Sequence, residues 1–489
     1  MKQLDSLTIE HYGIPSAVLM ERAALATVHE IREANYLLSD VIVLAGCGNN
    51  GGDGVCVARI LKEQGISPKI YVLGKPDDAS ECAHQLKTAE AYGLEITYGD
   101  AASCEAFLQQ NSCSLLIDAI FGVGLSRPLS EDYNSLIRTI NNCRFPVVCI
   151  DIPTGLDATS GKINSEAVQA NLTVTYGYYK IGQLLYPGCI CCDTLKLHTI
   201  GIVQDSEDSP EDLYALEKED LKQIERPQDS HKGTFGKMLL IAGSRDIGGA
   251  AVLAAKAAMR SGAGMVRVFT HERNRELLLE SIPEVMVTTY DNDCSELKSA
   301  MEWADVIGIG PGISVSDLSA QMLRTVLCDS RLPVVLDADA IALLKRDPAL
   351  MQEIEKPDRQ VIITPHLKEF SDLTDLSVKN IKADIVNVCR DYAAGHKLTC
   401  VLKDSRTVIA DENKTYLNLS GNAGMATAGS GDVLFGLITS LLGQTKDTEK
   451  AASFGCFIHG LAGDAASDQK GQAGMVASDM IDHFHEFMC

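Results

Sequence analysis

The chain has 489 residues, enough for two or three domains that each bury a core. Its 46% hydrophobic and 22% charged residues are ordinary for a globular protein, and a net charge of −23 argues against a nucleic-acid or anionic-membrane surface. Sixteen cysteines are too sparse for a disulfide scaffold, the first residues carry no apolar signal run, and no apolar stretch nears the roughly 20 residues of a membrane span, so a cytoplasmic protein with reduced thiols is expected.

Residues 15–36 predict an amphipathic helix with Val18, Leu19, Leu25, Val28 and Ile31 as its stripe. Val41 to Ala45 is a short apolar run, as expected of a strand buried on both faces. GCGNNGGDG then predicts a glycine loop, and VCVARILKEQG a helix after it. Strand, loop and helix start make a phosphate cradle, because backbone N–H groups there point at the anion. Gly46, Gly48 and Gly51 fit G-x-G-x-x-G, while Asn49, Asn50 and Asp53 add side-chain oxygens that a loop for phosphate alone does not need. Further strands are predicted at 69–74, 114–129 and 146–157, the last two running into glycine loops, with helices between. This alternation implies α/β architecture: a Rossmann-like three-layer α/β/α domain with its ligand site outside the strand carboxyl ends. A nicotinamide dehydrogenase would also need an acid about 20 positions past the loop to hold the ribose; Asp77 and Asp78 come late, after Pro76, which disfavours hydride transfer. The CxxC from Cys189 to Cys192 lies in a strand-like run with no second pair and reads as buried thiols.

Residues 205–229 are acidic, carry Pro210 and Pro227, and predict a linker with a short helix. They divide the chain into domains 1–215 and 216–489. A second, different α/β pattern begins at His231. Near its end Gly429, Ser430 and Gly431 precede Asp432 and an apolar helix, a second anion cradle. Asp432 in that first turn can cap the helix, or take a proton from a hydroxyl that attacks a phosphoryl group.

These motifs resemble a known family. LMERA (19–23), GCGNNGGDG (46–54), DAIFGVGLSRP (118–128) and DIPTGLD (151–157) resemble the epimerase domain of NAD(P)H-hydrate repair proteins. HKGTFG (231–236), AGSRDIGGAA (242–251), IGPG (309–312), LDADA (336–340), TPH (364–366), VLK (401–403) and GNAGMATAGSGDVL (421–434) resemble the ADP/ATP-dependent dehydratase of the same hydrates, a ribokinase-like α/β domain. The order matches the fused, bifunctional form. The resemblance implies epimerisation of hydrated NADH and NADPH (NADHX and NADPHX), and dehydration of the S form at the expense of ADP or ATP.

It also implies roles. Asn49, Asn50, Gly51, Gly52 and Asp53, with Gly122, Val123, Gly124, Leu125, Ser126, Arg127 and Pro128, would bind the hydrate. Asp151 would contact it near the reactive ring as the catalytic group. Asn50, Asp118 and Thr154 would hold potassium. In the second half Ala250, Gly312, His366 and Asp432 would surround the hydrate, with Asp432 catalytic. Lys403, Asp404, Ser405, Arg406, Thr407 and Gly431 would hold the adenine nucleotide, with magnesium on its phosphates and ADP preferred to ATP. A homo-oligomer is expected. The sequence departs from the family after His366, where Leu367 and Lys368 replace the usual Pro-Gly, and after Lys403, where Asp404 replaces Gly. The competing reading is a ribokinase-like small-molecule kinase fused to a nucleotide-binding module.

Overall fold

The computed structural model describes residues 2–125, 127–203, 213–223 and 226–488. The chain divides into two compact units, Met1–Ser209 and Pro210–Cys489. In the first, the strands are β1 Val41–Ala45, β2 Lys69–Leu73, β3 Glu95–Gly99, β4 Leu115–Ala119, β5 Val147–Ile150, β6 Leu172–Tyr176 and β7 Thr194–His198. All pair in parallel, in the order β3-β2-β1-β4-β5-β6-β7. The order reverses beside β1, so the crevice beyond the ends of β1 and β4 is the switch point where such sheets take ligands.

β1 shows why the sheet has helices on both faces. Val41, Val43 and Ala45 enter one apolar layer with the helices Ser16–Glu33 and Asn49–Glu63. Ile42 and Leu44, on the opposite side of the pleat, enter the other with Ala101–Gln110 and Glu131–Asn141. Each such Val, Ile or Leu, fully buried, stabilises the fold by about 1.5–3 kcal/mol.

Three expectations change. In helix Ser16–Glu33, Val18 and Leu25 are exposed, and the buried stripe is Leu19, Met20, Ala23, Ala24, Thr27, Val28 and Ile31. The stripe follows the i, i+3, i+4 series, on which small residues count as much as large ones. Gly188–Cys192 is a 3-10 turn, and the strand starts only at Thr194; Cys191 and Cys192 are buried, while Cys189 is half-buried. Parts of the expected linker, residues 205–212 and 224–225, lie outside the described residues, but Leu213 and Tyr214 pair into the second sheet.

That sheet has β8 Leu213–Tyr214, β9 Lys237–Ile241, β10 Met265–His271, β11 Met286–Tyr290, β12 Val306–Ile309, β13 Val334–Leu336, β14 Val361–Ile363, β15 Thr399–Leu402, β16 Val408–Ala410 and β17 Thr415–Leu417. They lie in the order β11-β10-β9-β12-β13-β14-β15-β16-β17-β8. The sheet is parallel as far as β15, where β16 and β17 turn antiparallel. Helix Ser430–Thr445 crosses under it against helix Gly249–Arg260. A Cβ on Gly436 would sit 2.1 Å from the Ala254 carbonyl oxygen, so only glycine lets the two helices approach this closely. Among the described residues no helix is long and apolar enough to cross a membrane.

Each unit has its own sheet and core, so fragment 210–489 is expected to fold alone. Fragment 216–489 lacks β8 and its Tyr214–Tyr416 ring contact. It should be less stable by about 1 kcal/mol. Urea melts of the two fragments measure this, and equal midpoints would show that β8 adds nothing.

Candidate active sites

A cavity of about 580 Å³ in the first unit is lined by residues that follow β1, β4 and β5. It takes Asn49, Asn50 and Asp53, then Gly122, Val123, Gly124, Leu125 and Arg127, then Asp151. The helix begins at Asn49, so NNGGDG forms its first turns and the loop is shorter than predicted. Asn49, Asn50 and Asp53 then lie on one face, because positions four apart stack along a helix. Gly51 and Gly52 serve packing: a Cβ on Gly51 would sit 1.9 Å from the Gly46 carbonyl oxygen, and one on Gly52 2.8 Å from the Met20 side chain. Neither they nor Pro128 line the cavity, and Ser126 lies outside the described residues. Leu19, Met20 and Ala23 of LMERA do line it, while Glu21 pairs with Arg59 across the two helices.

Asp118, at the end of β4, is fully buried. Its Oδ1 accepts from Thr154 Oγ1 at 2.8 Å and the Ile120 N–H at 3.2 Å; its Oδ2 accepts from the Thr154 N–H at 2.9 Å and Cys149 Sγ at 3.3 Å. Burial pushes its pKa up, against the pull of these bonds. Every donor is neutral, so the ionised carboxylate has no countercharge among them. Asn50 packs against Gly122, and its buried Nδ2 has no partner among the described residues. Carboxylate, hydroxyl and amide oxygens at this edge suit a hard cation of low charge. Asp118 and Thr154 meet directly, and Asn50 stands on the neighbouring helix start.

Asp151 follows β5 with φ +63, a left-handed conformation rare for a residue with a side chain. Its N–H donates to the Val174 carbonyl at 2.8 Å, and Gln183 Nε2 donates to its own carbonyl at 2.6 Å. Lys180 Nζ is bonded to Asp151 Oδ1. Asp53 and Asp5 face the same cavity. Burial, then Asp151 and Asp5, hold Asp53 well above the usual carboxylate range, with Lys180 opposing. Asp5, Thr175, Lys180 and Gln183 are absent from the sequence-derived set; they fall outside its glycine motifs, and only folding brings them to Asp151.

In the second unit, helix Ser430–Thr445 starts after Gly429, and Asp432 sits in its first turn. Among the described residues its carboxylate makes no hydrogen bond to the helix amides. Burial and then Asp337 push its pKa up to about 6, while Lys403 pulls it down. Lys403 Nζ lies 2.9 Å from Asp337 Oδ1, which also accepts from Thr364 Oγ1 at 2.7 Å. Burial works against the Lys403 ammonium, yet Asp337 and Glu369 outweigh it and push its pKa up. A Cβ on Gly431 would be 3.6 Å from Lys403 Nζ, so the lysine lies over the helix start. Asp337, Asp339 and Glu369 join this cluster although the motifs assigned them no role.

Ala250 and Gly312 adjoin, a Cβ on the glycine meeting that of Ala250 at 3.2 Å. His366 caps helix Leu367–Thr374: its Nδ1 accepts the Lys368 and Glu369 N–H groups at 3.1 Å, and Glu369 Oε2 accepts the His366 N–H at 2.8 Å. Leu367 and Lys368 thus open a helix at the first departure from the family pattern. At the second, Asp404 carries its own countercharge, Lys382 Nζ at 3.0 Å. Arg406 Nη1 donates to the Leu419 carbonyl at 2.9 Å, Thr407 Oγ1 reaches the Asp404 carbonyl at 3.5 Å, and Ser405 is exposed. His459 lies buried beside Ser430, and burial pulls its pKa down to about 4.

The family described as NAD(P)H-hydrate dehydratase matches residues 238–486, and the one described as YjeF-related protein N-terminus matches 16–182. The bifunctional NAD(P)H-hydrate repair enzyme of Thermofilum pendens is 32% identical over 499 aligned residues, covering 99% of this chain and 94% of the relative. The chain belongs to the bifunctional NAD(P)H-hydrate repair enzymes. The Coxiella burnetii member is 33% identical, covering 99% of this chain and 97% of its own. A ribokinase-like superfamily protein from Enterococcus faecalis superposes with a TM-score of 0.52 at 30% identity, covering 56% of this chain and 95% of its own. The family relation thus extends over both sheets, and the second has the ribokinase-like architecture.

Asp432 provides a stability test with a definite sign. Its pKa is raised from 3.8 to about 6, so the native state favours the neutral acid, and that stabilisation is lost as pH rises through about 6. Asp432→Asn, neutral throughout, should therefore raise stability above that pH by about 1–3 kcal/mol and change little below pH ~4. Melting curves at the two pH extremes check it; destabilisation at pH ~7.5 would mean that the ionised carboxylate is itself held by the fold.

Proposed function

We propose that the first cavity exchanges the R and S epimers of hydrated NADH and NADPH, and that the second site dehydrates the S form while ADP or ATP gives up phosphate. The observation that carries the reading is a carboxylate at a helix amino end in each unit, where an anionic substrate would be held: Asp53 in one, with Asp151 lining the same cavity, and Asp432 in the other.

Epimerisation at the hydroxyl-bearing ring carbon requires reversible ring opening or reversible loss of the hydroxyl. In ring opening a base takes the hydroxyl proton, the carbon–nitrogen bond breaks and the nitrogen is protonated; reclosure on the other face returns the proton. Asp151 would act as the base and Asp53 as the acid. Asn49, Asn50 and the loop 122–125 would hold the nucleotide. Asp118, Thr154 and Asn50 would hold potassium, which would supply the missing countercharge to Asp118.

Dehydration needs a better leaving group than hydroxide. Asp432 would remove the hydroxyl proton as the oxygen attacks the terminal phosphoryl group, and the helix amides would stabilise the phosphoryl in transfer. Departure of the phosphate from the ring, with loss of a proton from the neighbouring ring carbon to the phosphate or solvent, then forms the ring double bond and restores the reduced nicotinamide. Lys403 and Gly431 would meet the nucleotide phosphates. Magnesium would arrive on those phosphates, whose charge it neutralises. ADP as preferred donor, a homo-oligomeric assembly and a cytoplasmic setting belong to this reading through family resemblance alone.

Hydrated NADH incubated with the protein and ADP or ATP should regain NADH absorbance with release of free phosphate. A stable phosphorylated product would instead support a sugar-kinase-like activity. Asp432→Asn is expected to lose about 10² to 10⁴ in dehydration rate while keeping nucleotide affinity and epimer exchange. Retention of more than about a tenth of the rate would favour the capping role. Potassium in place of choline should raise the melting midpoint of the first unit, and Asp118→Asn should abolish that gain while leaving dehydration intact. A potassium response unchanged in the variant would remove Asp118 from the cation site.

A further inference from the structure

Lys180 is almost fully buried, with 4% of its side chain exposed, and stays behind the cavity wall. Its Nζ uses all of its donors: on Asp151 Oδ1, on Thr175 Oγ1 at 2.7 Å and on the Tyr176 carbonyl at 3.0 Å. Thr175 Oγ1 also reaches Asp151 Oδ1 at 3.3 Å. Gln183 ties the same parts together. Its Oε1 accepts the Lys180 N–H at 2.9 Å while its Nε2 donates to the Asp151 carbonyl. Every bond to the carboxylate thus falls on Oδ1. Among the described residues Oδ2 has no partner, and Asp151 lines the cavity.

Two features of this network exceed what folding requires. Asp151 is held at positive φ, a strain worth about 1–3 kcal/mol at a residue with a side chain. A buried ammonium is costly to desolvate, and an apolar side chain of similar length would fill the same space more cheaply. The wall it supports also carries Asp5 and Asp53. Three carboxyl groups face this space, and the Lys180 ammonium is bonded to Asp151 alone.

We propose that Lys180 is a positioning residue for epimerisation: it holds Asp151 Oδ1 so that Oδ2 of the ionised carboxylate faces the substrate hydroxyl. The inference rests on the epimerase reading of this cavity. The substrate proton moves to Asp151 Oδ2 and returns from it, and Lys180 keeps its own protons throughout. Asp53, whose neutral form burial favours, is left as the acid.

The test uses the full chain and both epimers of hydrated NADH. Lys180→Met should lower kcat for epimer exchange by about 10²-fold, the scale of a misplaced catalytic group, with KM little changed. Lys180→Ala should show the same loss and recover activity when methylammonium is added to fill the space. ADP-dependent dehydration of the S epimer, carried out in the other unit, should match wild type in both variants. Unchanged kcat, or a rise in KM alone, would overturn the proposal. So would a loss that methylammonium does not restore, which would mark Lys180 as structural. A wild-type chain that exchanges no epimers would instead remove the epimerase reading itself.

Discussion

Each half of this acidic chain sets a lysine against a carboxylate: buried Lys180 on Asp151, and half-buried Lys403 on buried Asp337. With a net charge of −23, the long-range field repels an anionic nucleotide, so attraction has to be built locally from buried cations and helix amides. A pair removed from water gains little over an apolar pair, but losing one partner costs about 3–5 kcal/mol because the other is left buried and charged. Neither lysine can therefore be exchanged without consequence for the carboxylates around it. Both also lie just beyond the carboxyl end of a parallel strand, Lys180 after β6 and Lys403 after β15. That edge is where such folds leave room for a ligand.

The two sites use burial in different ways. In the first, several carboxyl groups face one cavity, and the lysine separates their roles by bonding only one. In the second, Lys403 bonds Asp337 and reaches Asp432 only through space, so Asp432 is left poised near pH 6. A carboxylate with that poise is ionised at neutral pH and still basic enough to accept a proton. Its raised pKa and its stability cost share one cause, desolvation without a bonded countercharge.

Close packing delivers these groups. Gly51 and Gly52 let helix Asn49–Glu63 start against the Gly46 carbonyl and Met20, which turns Asn49, Asn50 and Asp53 to the cavity. Gly436 lets helix Ser430–Thr445 press on Ala254, under a sheet whose Gly308 makes room for Phe435 and Thr439. A methyl group at Gly51 or Gly436 would move a whole helix start and the carboxylate it carries. The glycines that read as ligand loops in the sequence thus act partly through helix placement.

The sequence alone determined the architecture, because strand patterning and switch-point glycines are local and periodic. VIVLA at β1 predicts a strand buried on both faces, and Val41 and Ile42 do enter opposite layers. It also determined the family, because NNGGDG, DIPTGLD and AGSGD are contiguous. It misjudged what depends on neighbours. The helix starts at Asn49, Leu25 faces solvent, and the residues around Cys189 form a turn, since each outcome is settled by what packs alongside. Only the tertiary structure decided which groups meet. Lys180 reaches Asp151 across 29 residues, Lys403 reaches Asp337 across 66, and Lys382 reaches Asp404 across 22. No periodicity encodes such pairs: a hydrogen bond depends on distances set by the whole sheet, and the sequence records only that both partners exist.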